Sequence, residues 1–264
     1  AGIGIIGAAA PMLQETFGGA LIGHSDLGFA DLKKDEALLA LAAAVGAGFV
    51  GLISLFNIFG RFFWASISDK LGRKLTYIVF FTLGILMYVT ASYMAGSKSL
   101  ALFAACFCII ASMYGGGFAT IPAYLADMFG TQFVGAIHGR ILTAWSTAGI
   151  LGPVIVNYMH DMRVEAQVPF SEIYAPIFYI LASMLAIGFI ANLMVRPVDK
   201  KFFMTDKELL AEKKLAHEKF ISTKETFGRA EKTPLITFLA WSAVGIPISY
   251  GIWSTIQKAW ILFH

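Results

Sequence analysis

The chain has 264 residues, of which 58% are hydrophobic and only 14% charged, and its mean hydropathy is +0.72. A soluble domain carries about 25% charged residues, so this composition excludes one. Apolar runs longer than a barrel strand of about 10 residues point to helices that cross a membrane. The net charge of +3 informs little by itself, because where the charges fall matters more, and nothing in it suggests a nucleic-acid partner.

In chain order, the first span is expected from Ala1 to about Gly19, Gly/Ala-rich and containing Pro11. It has no signal-peptide pattern and is already apolar at Ala1, so the chain is expected to lack an N-terminal part. A polar connection, Gly23 to Glu36, holds Lys33 and Lys34. Span two runs from about Leu38 to Ile67 and ends in a charged turn, Ser68 to Lys74. Span three is Leu75 to Ala95, closed by a tight turn at Gly96–Ser99. Span four runs from Leu100 to about Leu125, and span five from about Val134 to Tyr158. A polar loop, His160 to Glu172, leads to span six, Tyr174 to Val195. The hydrophilic stretch 196–233 follows, then a last span from about Leu235 to Phe263.

Lys and Arg bias orients such spans. Lys70, Arg73 and Lys74 fall on the same side as the basic cluster of 196–233; Lys33, Lys34, Lys98 and Arg163 fall on the other. The first side is therefore expected to be cytoplasmic. Within 196–233, Thr205 and Glu208 stand at capping-box positions, and Leu209, Leu210, Leu215 and Phe220 recur among charges, which predicts a short amphipathic helix. Lys258, between Trp253 and Trp260, fits an interfacial belt. Cys106 and Cys108 have neither metal nor redox spacing and read as packing residues.

No acidic residue is placed mid-membrane. A carboxylate relay for protons is therefore not expected, and proton coupling would rest on His138, which itself reads as a structural helix-end imidazole, or on residues outside this chain. The five histidines are scattered, and no catalytic or metal cluster emerges, so neither an enzyme nor a cofactor is expected. Arg61 is the exception to the apolar pattern. It lies eight residues before Asp69, about 12 Å along a helix, and a cation there is costly unless it has a use. Its guanidinium fork matches a carboxylate. Asn57, one turn earlier, shares its face. Arg140 reads as an interfacial anchor.

The stretch Ala65-Ser66-Ile67-Ser68-Asp69-Lys70-Leu71-Gly72-Arg73-Lys74 resembles the signature loop of the major facilitator superfamily, with Ala65 where Gly is usual. A small residue there permits close helix approach and Gly72 a tight turn; Asp69 can interact with a neighbouring helix N-terminus and lock one gate state. Tyr114 to Tyr124, followed by Asp127 to Gly130, is similar to helix ten of the oxalate/formate antiporter family. His138 to Trp145 and Gly149 to Pro153 are similar to its helix eleven. The resemblance implies an all-α integral membrane fold: a major facilitator six-helix bundle, or half transporter, plus one additional transmembrane helix. It implies three parts: 1–195, helices seven to twelve; 196–233, a cytoplasmic linker; and 234–264, the extra helix.

The same resemblance implies a secondary active transporter of small organic anions, such as monocarboxylates or oxalate and formate, in the inner or plasma membrane. Its partners are the lipid bilayer and a six-helix N-terminal half outside this chain, without which it is not expected to transport. The family's substrate-binding arginine falls on Arg61, and its second cation falls on Trp145, which suits a monocarboxylate better than a dianion. Tyr114 joins Arg61, Asn57 and Trp145 as a substrate-binding candidate; Ala65, Asp69, Lys70, Gly72, Arg73 and Lys74 are the gating residues. Two alternatives stay open: the N-terminal half of a different major facilitator transporter, or a seven-helix membrane receptor or sensor.

Overall fold

Asp35 starts the longest helix. Its Oδ1 accepts hydrogen bonds from the N–H groups of Ala37 (2.9 Å) and Leu38 (3.2 Å), which satisfies donors that a helix N-terminus leaves unpaired. The helix then runs Glu36–Leu71, about 54 Å at 1.5 Å per residue, well beyond the roughly 30 Å hydrocarbon core of a bilayer. The computed structural model describes residues 2–96, 99–199, 201, 204–229 and 234–260. Its helices are α1 Gly2–Gly7, α2 Ala9–Phe17, α3 Phe29–Leu32, α4 Glu36–Leu71, α5 Arg73–Gly96, α6 Leu100–Phe129, α7 Val134–Glu165, α8 Ala175–Met194, α9 Asp206–Arg229 and α10 Pro234–Trp260. Among the described residues there is no strand.

Among the described residues, five stretches are long and apolar enough to cross a membrane: Glu36–Leu71, Arg73–Ala95, Leu100–Phe129, Val134–Glu165 and Phe170–Met194. They match expected spans two to six. The expected first span is instead two short helices. Pro11 has no N–H to bond the Gly7 carbonyl, and its ring crowds that same carbonyl; the helix accordingly breaks at Ala8. Span five runs beyond Tyr158 to Glu165, because His160 and Arg163 find partners there instead of entering a loop. The turn expected at Gly96–Ser99 falls partly outside the described residues, at Ser97 and Lys98.

Two compact units divide after Arg196. In the first, α4 and α6 lie in near-backbone contact. A methyl group on Gly60 would overlap the Ser112 carbonyl oxygen, and one on Gly115 would overlap the Asn57 carbonyl oxygen. Gly116 faces Trp64, whose Cβ would lie 2.5 Å from an added methyl. Such small-residue contacts join helices in lipid, where burial of apolar surface gives little drive. Trp64 Nε1 donates to Ser112 Oγ (3.3 Å) and Asn57 Nδ2 to the Ala111 carbonyl (3.3 Å). Toward the other end of α6, Phe103 and Phe107 meet Phe17, Phe49 and Phe178 with ring centroids 4.7–6.1 Å apart, good aromatic geometry. Cys106 and Cys108 are buried in this core.

In the second unit, α9 begins as expected. Glu208 Oε2 accepts from the Thr205 N–H and hydroxyl, both at 2.8 Å. It runs to Arg229, and Leu209, Leu210, Leu215 and Phe220 are exposed. The helix α10 carries Pro247 internally; the side chains of Lys258 and Trp260 lie outside the described residues.

Gly115→Ala is expected to lower stability by about 1–3 kcal/mol, the usual range for overpacking. Gly117→Ala has open space around the new methyl and is expected to stay within about 0.5 kcal/mol; thermal unfolding in detergent compares them. The hydrogen bonds from Thr205 hold the Glu208 carboxyl below its ordinary value of 4.5. A depressed carboxylate stabilises the fold above its unfolded pKa and stops doing so as pH falls through the folded one. Amide exchange across the first turn of α9 should therefore speed up as pH drops below about 4, after correction for intrinsic rates, and Glu208→Gln should remove that acceleration.

Candidate functional site

The charged turn after α4 is built on one backbone conformation. Gly72 closes the helix with φ +85°, a region that side chains other than glycine avoid, and its N–H bonds the Ser68 carbonyl at 3.0 Å. The chain re-enters a helix at Arg73. That side chain is largely buried and donates to Ser68 Oγ, to Asp69 Oδ1 and, through Nε, to Asp127 Oδ2 at 3.2 Å. It thus joins the end of α4 to the end of α6. The next residue, Lys74, donates from Nζ to the carbonyls of Leu193 (3.0 Å) and Val195 (2.6 Å). A cation on the last carbonyls of α8 satisfies acceptors the helix leaves open and complements its dipole. Asp69 therefore engages the start of α5 through the Arg73 side chain. Lys70 is exposed and Ala65 half-buried.

About two turns back along α4 from Asp69, Arg61 is exposed. A methyl on Gly115 would sit 3.3 Å from Arg61 Cγ, so the arginine stem lies along α6. Among the described residues no hydrogen bond or ion pair engages its guanidinium. Asn57 does not stand free beside it, since its amide is held by the Ala111 carbonyl.

Tyr114, the neighbour of Gly115, points to the adjoining face of α6. Its hydroxyl accepts from Trp145 Nε1 at 2.9 Å, and Phe118 lies edge-on to both rings (5.3 and 5.7 Å). A cavity of about 290 Å³ opens here, lined by Tyr77, Tyr114, Phe118, His138, Trp145 and aliphatic neighbours. Its wall is almost wholly apolar, apart from His138, whose Nδ1 is buried without a hydrogen-bond partner. Sequence reasoning placed His138 at a helix end as a structural residue. It shares a helix face with Leu142 and Trp145, a spacing that could have grouped it with the site. Arg140 is exposed one turn before Ser/Thr-rich α7 sequence. No group of three or more metal-ligating side chains comes together among the described residues.

A set of long apolar helices in close glycine contact defines a multi-pass α-helical membrane protein. The chain belongs to the Major Facilitator Superfamily, whose family model matches residues 1–260. It is 34% identical over 114 residues to an oxalate:formate antiporter of Oxalobacter formigenes, covering 43% of this chain and 27% of that one. It is 31% identical over 120 residues to the glucose transporter GlcP of Staphylococcus epidermidis, covering 46% of this chain and 23% of that one. The chain thus spans about a quarter of the length of the curated relatives it matches. No solved structure matches it.

Because Arg73 ties α4 to α6, Arg73→Gln and Asp127→Asn are expected to be non-additive. A double-mutant cycle followed by thermal unfolding should return a coupling of about 0.5–1 kcal/mol, while Lys70→Gln, on an exposed side chain, should couple to neither.

Proposed function

We propose that this chain is part of a secondary active transporter for small organic anions, with monocarboxylates the preferred class, and that it works by alternating access in a cell membrane. The observation that carries this is Arg61: a guanidinium within a membrane-spanning helix that no hydrogen bond or ion pair engages among the described residues, its stem packed on α6 at Gly115, which is next in sequence to Tyr114 of the aromatic cavity. A cation there is stable only with an anionic partner or access to water. The carboxylate would lie on the Arg61 fork. The short carbon chain of the anion would fill the space against Tyr114, Phe118 and Trp145. His138 would offer a further donor. Trp145 supplies no positive charge, and a dianion desolvated beside a single cation is costly. That is why a monocarboxylate is preferred over oxalate.

Transporters of this type hold substrate near the midplane between two pseudo-symmetric halves. The partner we propose is accordingly a second six-helix bundle over the exposed Arg61 face. The signature loop and residues 196–233 would face the cytoplasm, following the basic bias. No catalytic role is assigned. The likeness to a glucose transporter keeps a sugar as the second reading, but a guanidinium within a membrane-spanning helix favours a charged substrate.

The test is uptake of labelled formate, lactate, oxalate and glucose into proteoliposomes containing the transporter. Arg61→Gln should cut monocarboxylate uptake about 100-fold, the scale of losing one partner of a desolvated charge pair. Trp145→Lys should raise oxalate uptake relative to formate. Strong oxalate or glucose uptake without formate or lactate uptake would contradict the substrate class.

A further inference from the structure

At the end of the bundle away from the signature loop, three residues far apart in sequence meet. Glu15, near the end of α2, has a side chain only 12% exposed. Its Oε2 lies 2.9 Å from His160 Nε2 on α7 and accepts from the Tyr174 hydroxyl, just ahead of α8, at 2.8 Å. The other imidazole nitrogen, Nδ1, lies 3.0 Å from Asp161 Oδ1. Arg163 is turned away, donating to the Glu172 carbonyl. The titratable groups on His160 are therefore Glu15 from α2, Asp161 from its own helix and Tyr174 from the approach to α8. Beside them lies a cavity of about 270 Å³ lined by Gly7, Pro11, Glu15, Val156, Asn157 and Tyr174, among others.

We infer that Glu15, His160 and Tyr174 form a proton-binding site that latches α2 to α7 and α8 at this end of the bundle. With both carboxylates ionised, the two contacts take two donors from one imidazole. A neutral imidazole has a single N–H, whereas the imidazolium has two. Taking a proton from water in the cavity gives His160 an N–H toward Glu15 and another toward Asp161, and the cluster closes. Releasing that proton to water leaves one N–H for two carboxylates. The latch then loosens at its weaker point, the helix pair α1–α2 already broken at Ala8. A histidine titrates in the range where such a switch is useful. This inference concerns the proton alone and stands whatever organic substrate is carried.

Val156 lines the same cavity and is 1% exposed, so Val156→Cys reports opening. With Cys106 and Cys108 replaced by alanine, the protein in membrane vesicles is treated with a small water-soluble thiosulfonate. Rates are divided by those of the same thiol in unfolded chain at the same pH. The normalised rate should rise about tenfold between about pH 5 and pH 8, the size of change that loss of one charge-assisted hydrogen bond allows. In His160→Gln the rate should be high and flat. A flat profile in the parent protein, which needs no latch variant, overturns the inference, as does an unchanged rise in His160→Gln.

Discussion

The near-backbone contact between α4 and α6 is the constraint on which the rest of this unit depends. Lipid gives two apolar helices little reason to associate, so the association must come from close van der Waals contact and from hydrogen bonds that reach across. Gly60, Gly115 and Gly116 remove the side chains that would hold the helices apart. Trp64 and Asn57 then bond across the gap to Ser112 and the Ala111 carbonyl. This geometry sets the Arg61 stem along α6 and turns Tyr114 toward α7. The arginine stem meets the stretch of α6 that carries Tyr114, part of the cavity wall, because two helices can touch, not because the two residues lie close in sequence.

The two ends of the bundle are fastened differently. At the signature end, Arg73 and Lys74 fasten α4, α6 and α8 through charge-assisted bonds to carboxylates and carbonyls. At the far end, the bonds run through Glu15, His160 and Tyr174. An alternating-access carrier needs each end to close and to release in turn. Guanidinium and ammonium groups keep their charge across the physiological range, whereas an imidazole does not. If the chain works by the proposed alternating access, the signature end would yield to mechanical rearrangement and the far end to protons.

Much of this was legible in the sequence. The length and apolarity of spans two to six are local properties, and the structure returns them within a few residues. The signature turn was legible because Gly72 and its charged neighbours answer a local need for a tight, basic turn. What escaped was everything set by contact between distant residues. The break at Ala8 follows from Pro11, three residues on, and was hidden by the Gly/Ala-rich apolar composition around it. Asn57 read as a free polar neighbour of Arg61, but the close approach at Gly115 brings the Ala111 carbonyl within its reach. His138 read as a helix-end residue and lies in the cavity wall. Glu15 and His160 are 145 positions apart, and each alone read as an ordinary polar residue near a span end. That is why proton coupling was expected to rest on His138 or on residues outside this chain, and not on this pair.

The central claim is that Arg61 is an anion-accessible cation inside the membrane bundle. Its most direct test is chemical rather than genetic. In membranes containing the transporter, Arg61 should react with phenylglyoxal, as located by mass spectrometry of the α4 peptide. Formate or lactate should slow that reaction and glucose should not. If Arg61 is unreactive, or reacts at the same rate with and without monocarboxylate, the account is wrong about what this arginine does.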